Sequence, residues 1–419
     1  MNMEKNNPRR DSNVKLDRNV ILTGLTSFFT DISSEMIYPL IQAFVAMIMT
    51  AQKALLGPVL GIIEGVAEST ASLLKVFAGY YSDRIEKRKA PAIAGYALSA
   101  VSKALLFAAA LGWAFVLLSR FFDRVGKGIR TAPRDALISE STPREMQGRA
   151  FGFQRGMDFA GAFLGAAICY FVVIEFLDPV TKTLRDINAF YLLFLASLVP
   201  AFIGVVFLFF IRERKAPASS GGEKPRPNLD VRKYGLNLRV FFLAQFLFTL
   251  GNSSNQFLLL RSMDLGYLLS TVILMYILFN LATTLLSPLF GSLSDRIGRK
   301  RVLLWGYALY AVVYAAFGFI SAPSARLLWA FWPLYGVYYA MTEGVEKAFV
   351  ADLAPAESKA TALGFYHTIV GIGLLPASVI AGLLFTVNPG LPFVFGGGLA
   401  VLTVLLLGFG VKEKHDEGR

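Results

Sequence analysis

Residues 120–134 read Arg-Phe-Phe-Asp-Arg-Val-Gly-Lys-Gly-Ile-Arg-Thr-Ala-Pro-Arg, directly after the apolar run 111–119. If this is a membrane helix, Arg120, Asp123, Arg124 and Lys127 lie deep in it, with Arg134 and Asp135 at its rim. A charge at the bilayer centre costs about 2.5–3.5 kcal/mol on insertion scales, so such a helix needs partners, water or a substrate path. The rest of the chain decides that the surroundings are membrane. It is 55% hydrophobic and 17% charged, with a mean hydropathy of +0.54. Apolar runs recur along its length, each able to cross roughly 30 Å of hydrocarbon.

About twelve spans are expected, near 19–47, 56–82, 90–111, 113–135, 149–175, 188–211, 238–261, 266–293, 301–321, 326–352, 360–386 and 391–411. Residues 1–18 are polar and basic, and read as a cytoplasmic tail rather than a cleaved signal. Residues 19–211 form a first six-helix bundle, 212–237 a Pro/Ser/Gly-rich linker, 238–411 a second bundle and 412–419 a short tail. Lys and Arg concentrate in the N-terminal tail, in the turns at 84–89 and 296–301, and in the linker. By the positive-inside rule both termini and the linker are cytoplasmic, and the protein is a multi-pass component of the inner (plasma) membrane. The net charge of +12 is thereby accounted for at membrane edges, with no nucleic-acid-binding module. The single cysteine, Cys169, excludes an internal disulfide.

The halves repeat. Gly79-Tyr-Tyr-Ser-Asp83-Arg84-Ile85 matches Gly291-Ser-Leu-Ser-Asp295-Arg296-Ile297, an offset of 291 − 79 = 212. The same offset carries Pro143 to Pro355, Gly152 to Gly364 and Gly161 to Gly373. Ser33-Ser34-Glu35 matches Ser253-Ser254-Asn255 at an offset of 220. Parallel six-span repeats are one of the known transporter plans.

On these motifs the chain resembles the major facilitator superfamily over essentially its whole length. Gly291 to Lys300 matches the family's loop signature Gly-x-x-x-Asp-Arg-x-Gly-Arg-Lys in full. Gly79 to Lys89 matches it with Glu86 for the second Gly and one extra residue before Arg88. The resemblance implies an all-α membrane fold of two pseudo-symmetric six-helix bundles. Gly and Asp four apart share a helix face, so Gly79/Asp83 and Gly291/Asp295 each present one close-packing and one charged position. The resemblance implies that these residues, with Arg84 and Arg296, latch the cytoplasmic side shut and release it as the halves rock. The plain alternative is a turn with positive-inside anchors.

Buried charge crowds the first half. Asp31 and Glu35 are four apart, as are Glu64 and Glu68; Arg120, Arg124 and Lys127 share a stripe; Arg155 and Asp158 are three apart. Asp158 is expected to pair with Arg124 or Lys127, and Asp31 and Glu35 to face bases across the bundle. Two readings stay open: ion pairs that fix packing, or acids in an aqueous cavity that take up a proton while bases hold the substrate. The family commonly has Arg-x-x-x-Gly in the fourth span, linked to proton coupling. Here Arg120 holds the Arg position and Arg124 replaces the Gly. In the fifth span Gly161-Ala-Phe-Leu-Gly165 keeps the glycines of the exporter pattern Gly-Pro-x-x-Gly but not its Pro, which favours efflux slightly. The second half offers Glu343, which could neutralise Lys347 on its own helix, together with Glu346, and His367 at the repeat equivalent of Arg155. Of the aromatic group Trp329, Trp332, Tyr335, Tyr338 and Tyr339, most are expected in the interface belt, with Tyr335 and Tyr339, four apart and deeper, expected to line the cavity.

No phosphate-binding loop, zinc cluster or catalytic triad pattern is present, so neither ATP nor an enzymatic cofactor is expected. The expectation is a monomeric, non-enzymatic secondary transporter of a small organic solute. It would be driven by an ion gradient, which the family resemblance implies is one of protons. The alternatives are an importer of an organic anion or metabolite, and a non-transporting receptor or lipid-handling protein on the same scaffold.

Overall fold

A computed structural model of the chain describes residues 16–85, 87–143, 147–176, 187–213, 232, 234–355 and 359–412, without the side chains of 79–85, 147–149, 359 and 360. Among the described residues there is no β-strand. The first bundle comprises α1 (Arg18–Glu35), α2 (Ile41–Ile48), α3 (Leu56–Ile85), α4 (Lys89–Ser102), α5 (Ala114–Glu140), α6 (Gln147–Glu175) and α7 (Ile187–Phe209). The second comprises α8 (Leu236–Gly251), α9 (Asn255–Asp264), α10 (Leu269–Ile297), α11 (Arg299–Phe319), α12 (Leu328–Leu353), α13 (Lys359–Val387) and α14 (Leu391–Gly410).

Three expected spans are not continuous helices. The span at 19–47 breaks between α1 and α2 at a 3₁₀ turn, Tyr38–Leu40, where Pro39 cannot donate to the preceding turn. The span at 238–261 breaks between α8 and α9, and the Ser254 hydroxyl caps the new helix by accepting from Gln256 N–H at 3.3 Å. Both breaks adjoin the matched Ser-Ser pairs. The span at 90–111 tightens after α4 into a 3₁₀ segment, Lys103–Leu111, and stops at Gly112, whose φ of +151° only glycine adopts freely.

Among the described residues eight helices are long and apolar enough to cross a membrane. The expected spans that miss this measure are the first, fourth, seventh and tenth, which occupy equivalent places in the two halves. Two of them are broken, and α5 carries its charges. These four contribute α1, α5, α9 and α12 to the central cavity, so a good part of their surface never meets lipid.

The bundles meet along two seams that exchange under the repeat: α3 against α13, and α6 against α10. At the first seam a side chain on Gly57 would collide with the carbonyl oxygen of Gly382, and one on Gly61 with that of Ser378. Small residues let the backbones touch, as membrane helix contacts require. Farther along, Ser69 Oγ donates to Gly371 O at 2.6 Å.

The pseudo-symmetry reaches individual bonds. After the one-residue difference in the first loops, Gly95-Tyr96-Ala97-Leu98 matches Gly306-Tyr307-Ala308-Leu309, at 306 − 95 = 211. Lys103 Nζ donates to Ser33 Oγ in the first bundle, and the equivalent residues, Tyr314 and Ser253, pair at 3.1 Å in the second.

Candidate functional site

A cavity of about 540 Å³ lies between the bundles, lined from α1, α3, α4, α5, α6, α9, α10 and α12. One face of the molecule, the linker face, carries the described residues that flank the linker and the two tails: Asn19 donates to Arg212 O at 2.8 Å, and Asn237 to Lys412 O at 2.8 Å. The cavity reaches this linker face through Arg134, Asp135, Phe151 and Lys347. On the far face the bundles bond to each other. Gln256 Nε2 donates to Tyr38 O at 2.8 Å, Ser254 Oγ to Glu64 Oε2 at 3.0 Å and Tyr276 OH to Glu35 Oε2 at 2.9 Å.

The charged stripe of α5 divides in two. Its far part is buried in a closed network. Arg120 donates through Nε and Nη2 to both oxygens of Glu64, each at 3.0 Å. Arg124 Nη2 lies 2.8 Å from Glu68 Oε1. Asp123 accepts from Ser99 Oγ and lies 3.9 Å from Arg120 and from Arg124. The Arg120 guanidinium also sits 5.3 Å from the centroid of the Tyr38 ring. With Lys103 the cations are matched by Glu64, Glu68 and Asp123, so the network is neutral. Arg120, Asp123, Arg124 and Glu68 do not line the cavity. Glu64, the acid that neutralises Arg120 and ties it to the other bundle, had a legible signal: acids four apart in the second span match bases four apart in the fourth.

The linker-side part of the stripe opens onto the cavity through Lys127, Arg130, Thr131 and Arg134. Arg130 stacks 4.4 Å from the Tyr96 ring centroid, and its buried Nη1 has no hydrogen-bond partner among the described residues. Arg134 bonds Asp135 at 2.9 Å and Ser27 Oγ at 3.3 Å.

Several expected pairings are replaced. Asp158 does not pair with Arg124 or Lys127; it accepts from Gln154 Nε2 at 2.9 Å, because Arg124 is turned toward Glu68. Glu35 meets a tyrosine of the second bundle rather than a base. Asp31 lines the cavity with no direct hydrogen bond or ion pair among the described residues. Glu343 does not neutralise Lys347; Arg155 Nη2 reaches it across the cavity at 3.0 Å. Tyr339 lines the cavity as expected, and Tyr335 is buried behind it, donating to Asn255 Oδ1 at 2.9 Å. His367 packs at 5.2 Å against the Tyr366 ring and is not among the cavity residues.

The expected interface belt is only partly so. Trp329 is exposed, but Trp332, Tyr335 and Tyr338 are buried with Tyr310 and Tyr314 in a stacked aromatic core. Trp332, Tyr335, Tyr310, Tyr314 and Tyr276 are the repeat equivalents of Arg120, Asp123, Ser99, Lys103 and Glu64. The same place is thus filled by a salt-bridge network in one bundle and by aromatic rings in the other.

Of the expected latch, Gly79, Asp83 and Arg84 have side chains outside the described residues. In the second copy, after Gly291, Asp295 pairs with Arg299 of its own bundle at 3.2 Å, and Arg299 also meets Asp352 at 2.5 Å. Arg296 is exposed in the last turn of α10. Among the described residues Asp295 makes no contact with the other bundle in this state, whose cavity reaches that same face.

A family model described as Major Facilitator Superfamily matches residues 23–260 and 241–419. The chain is 37% identical over 415 residues to an uncharacterised MFS-type transporter of Methanocaldococcus jannaschii, covering 97% of this chain and 98% of that one. It is 27% identical over 143 residues to the quinolone resistance protein NorA of Staphylococcus aureus, 34% of this chain and 36% of NorA. The fold superposes on a crystal structure of the nucleoside transporter NupG with a TM-score of 0.72 at 14% identity, over 94% of this chain and 100% of that one.

Proposed function

The chain belongs to the major facilitator superfamily, and on that premise we propose that it is a secondary active transporter of a small organic solute, working by alternating access and driven by protons. The observation that carries this reading is the cavity: it is enclosed by both bundles, bonded shut on the far face and continuous with the linker face. Two symmetric seams leave the bundles free to rock about it. Asp31 and Asp158 among Lys127, Arg130 and Lys75 form a set in which a proton can alternate with substrate charge. The bases suit a carboxylate or other anionic group, and Phe279, Tyr339, Asn255 and Asn280 supply a neutral, partly aromatic wall for the rest of the solute.

Efflux is the favoured direction, on the glycines of the fifth span and the partial similarity to NorA. The bases that line the cavity, Lys75, Lys127 and Arg130 among them, equally support a second reading, proton-coupled uptake of an organic anion. Family and fold point to transport rather than catalysis, and no cofactor beyond the gradient enters. The protein is read as a monomer in the inner membrane with both termini in the cytoplasm. The test is a thermal-shift screen of metabolites and drugs on purified protein, followed by flux of the hit into proteoliposomes under an imposed pH gradient. Gradient-dependent flux supports the reading. Specific binding with no flux in either direction favours a receptor.

A further inference from the structure

Glu346 of α12 is 7% exposed and surrounded by uncharged donors. The Tyr307 hydroxyl of α11 lies 2.9 Å from its Oε1, the Tyr366 hydroxyl of α13 lies 2.5 Å from Oε2, and Gln245 Nε2 of α8 lies 3.5 Å from Oε2. Among the described residues it forms no ion pair. The charged groups nearest in sequence are on its own helix, Glu343, which is engaged with Arg155, and Lys347. The packed elements α8, α11 and α13 present Gln245, Tyr307 and Tyr366.

The protons of this cluster can be counted. The Tyr307 oxygen is also 2.9 Å from Gln245 Oε1. A phenol has one proton to give. With Glu346 ionised, that proton serves one acceptor, and the other close oxygen–oxygen contact has none. Turning the Gln245 amide supplies an N–H to Tyr307 but points the amide oxygen at the carboxylate. A proton on Glu346 Oε1 satisfies every contact. Glu346 then donates to Tyr307, Tyr307 to Gln245, and Tyr366 and Gln245 to Oε2.

We propose that Glu346 is protonated in this state and is the site at which the second bundle takes up and releases a proton. The repeat gives the assignment its context. At 346 − 212 = 134 the first bundle has Arg134, with Tyr96 and Gln154 at the places of Tyr307 and Tyr366. A permanent cation fills the position in one bundle, and a switchable acid fills it in the other. Tyr366 lies on α13, which forms the seam with α3 of the opposite bundle, so the site is one helix away from that seam. Glu343 and Lys347, on either side of it in sequence, line the cavity. The use of this proton in coupling rests on the transport reading, but the protonation itself does not.

The test is infrared difference spectroscopy of the full-length protein in lipid, titrated across neutral pH. A protonated carboxyl C=O band is expected in the wild type, lost in Glu346→Gln and shifted in Tyr366→Phe and Tyr307→Phe. The glutamine variant keeps a neutral donor for Tyr307, and the tyrosine variants read the same site should it fail to fold. A carboxyl region unchanged by all of these substitutions overturns the assignment. Absence of gradient-driven flux in the wild type would instead overturn the transport reading and leave the band test standing.

Discussion

Arg155 of the first bundle donates to Glu343 of the second at 3.0 Å, across the cavity on its linker side. The side chains are 51% and 41% exposed, so water screens the pair, and its worth is up to about 1 kcal/mol. That is still about a fivefold change in a two-state population. Arg155→Ala or Glu343→Ala is therefore expected to shift the conformational balance by up to that factor, and the swap Arg155→Glu with Glu343→Arg to restore it. Spin-label distances between cysteines at Gly152 and Gly344, both exposed and with open space around an added side chain, read the shift directly. Unchanged distance distributions in the single variants would remove the pair from the gate.

Glu64 and Arg120 should behave in the opposite way. Both are buried and doubly hydrogen-bonded, and removing one leaves an uncompensated charge at a cost of about 3–5 kcal/mol. Glu64→Ala and Arg120→Ala are expected to lower the unfolding temperature in detergent far more than Glu68→Ala, whose side chain is 32% exposed. Replacing Glu64 and Arg120 together by Leu and Met should recover most of the loss. Equal effects at Glu64 and Glu68 would contradict the closed network.

The α3–α13 seam predicts sensitivity to size alone. Gly61→Val drives a side chain into the backbone of Ser378 and should cost about 1–3 kcal/mol of overpacking, with a matching loss of transport. Gly152→Ala, with nothing within 4 Å of the new methyl, is the control and should match the wild type in thermal stability and flux.

Asp83→Asn is expected to change both transport rate and conformational balance, through the latch implied by the family signature. Asp295→Asn should leave the present state populated, since among the described residues Asp295 pairs inside its own bundle here, and should depopulate the opposite one. The same spin-label pair measures both. If neither substitution moves the distances or the rate, these residues are anchors.

Much of the fold could be read in advance, because spans, loop charge and a fixed repeat offset are properties of one chain. Breaks were harder. Pro39 signals the one in the first span, but nothing comparable marks the break before Ser254. Partner choice was least legible. An i,i+4 spacing predicted Glu343 with Lys347, yet the register between α6 and α12 puts Arg155 closer, and register is a property of packing. The charges of α5 were visible, whereas the position at which the stripe passes from buried network to cavity, between Arg124 and Lys127, is set by tertiary packing. Trp332 and Tyr338 have the amphipathic character of belt residues, and only packing takes them inside, Trp332 against Tyr276 and Phe317 and Tyr338 against Tyr310 and Phe248.

Alternating access itself is tested by a single cysteine at Asn280, a cavity residue roughly midway along the bundle. The one native cysteine, Cys169, is buried and gives little background. In oriented vesicles an impermeant maleimide is expected to label position 280 from the linker face at rest. Labelling from the far face should appear when a substrate identified by thermal shift is added with a pH gradient. Labelling confined to the linker face under every condition, with that substrate bound, would contradict the account.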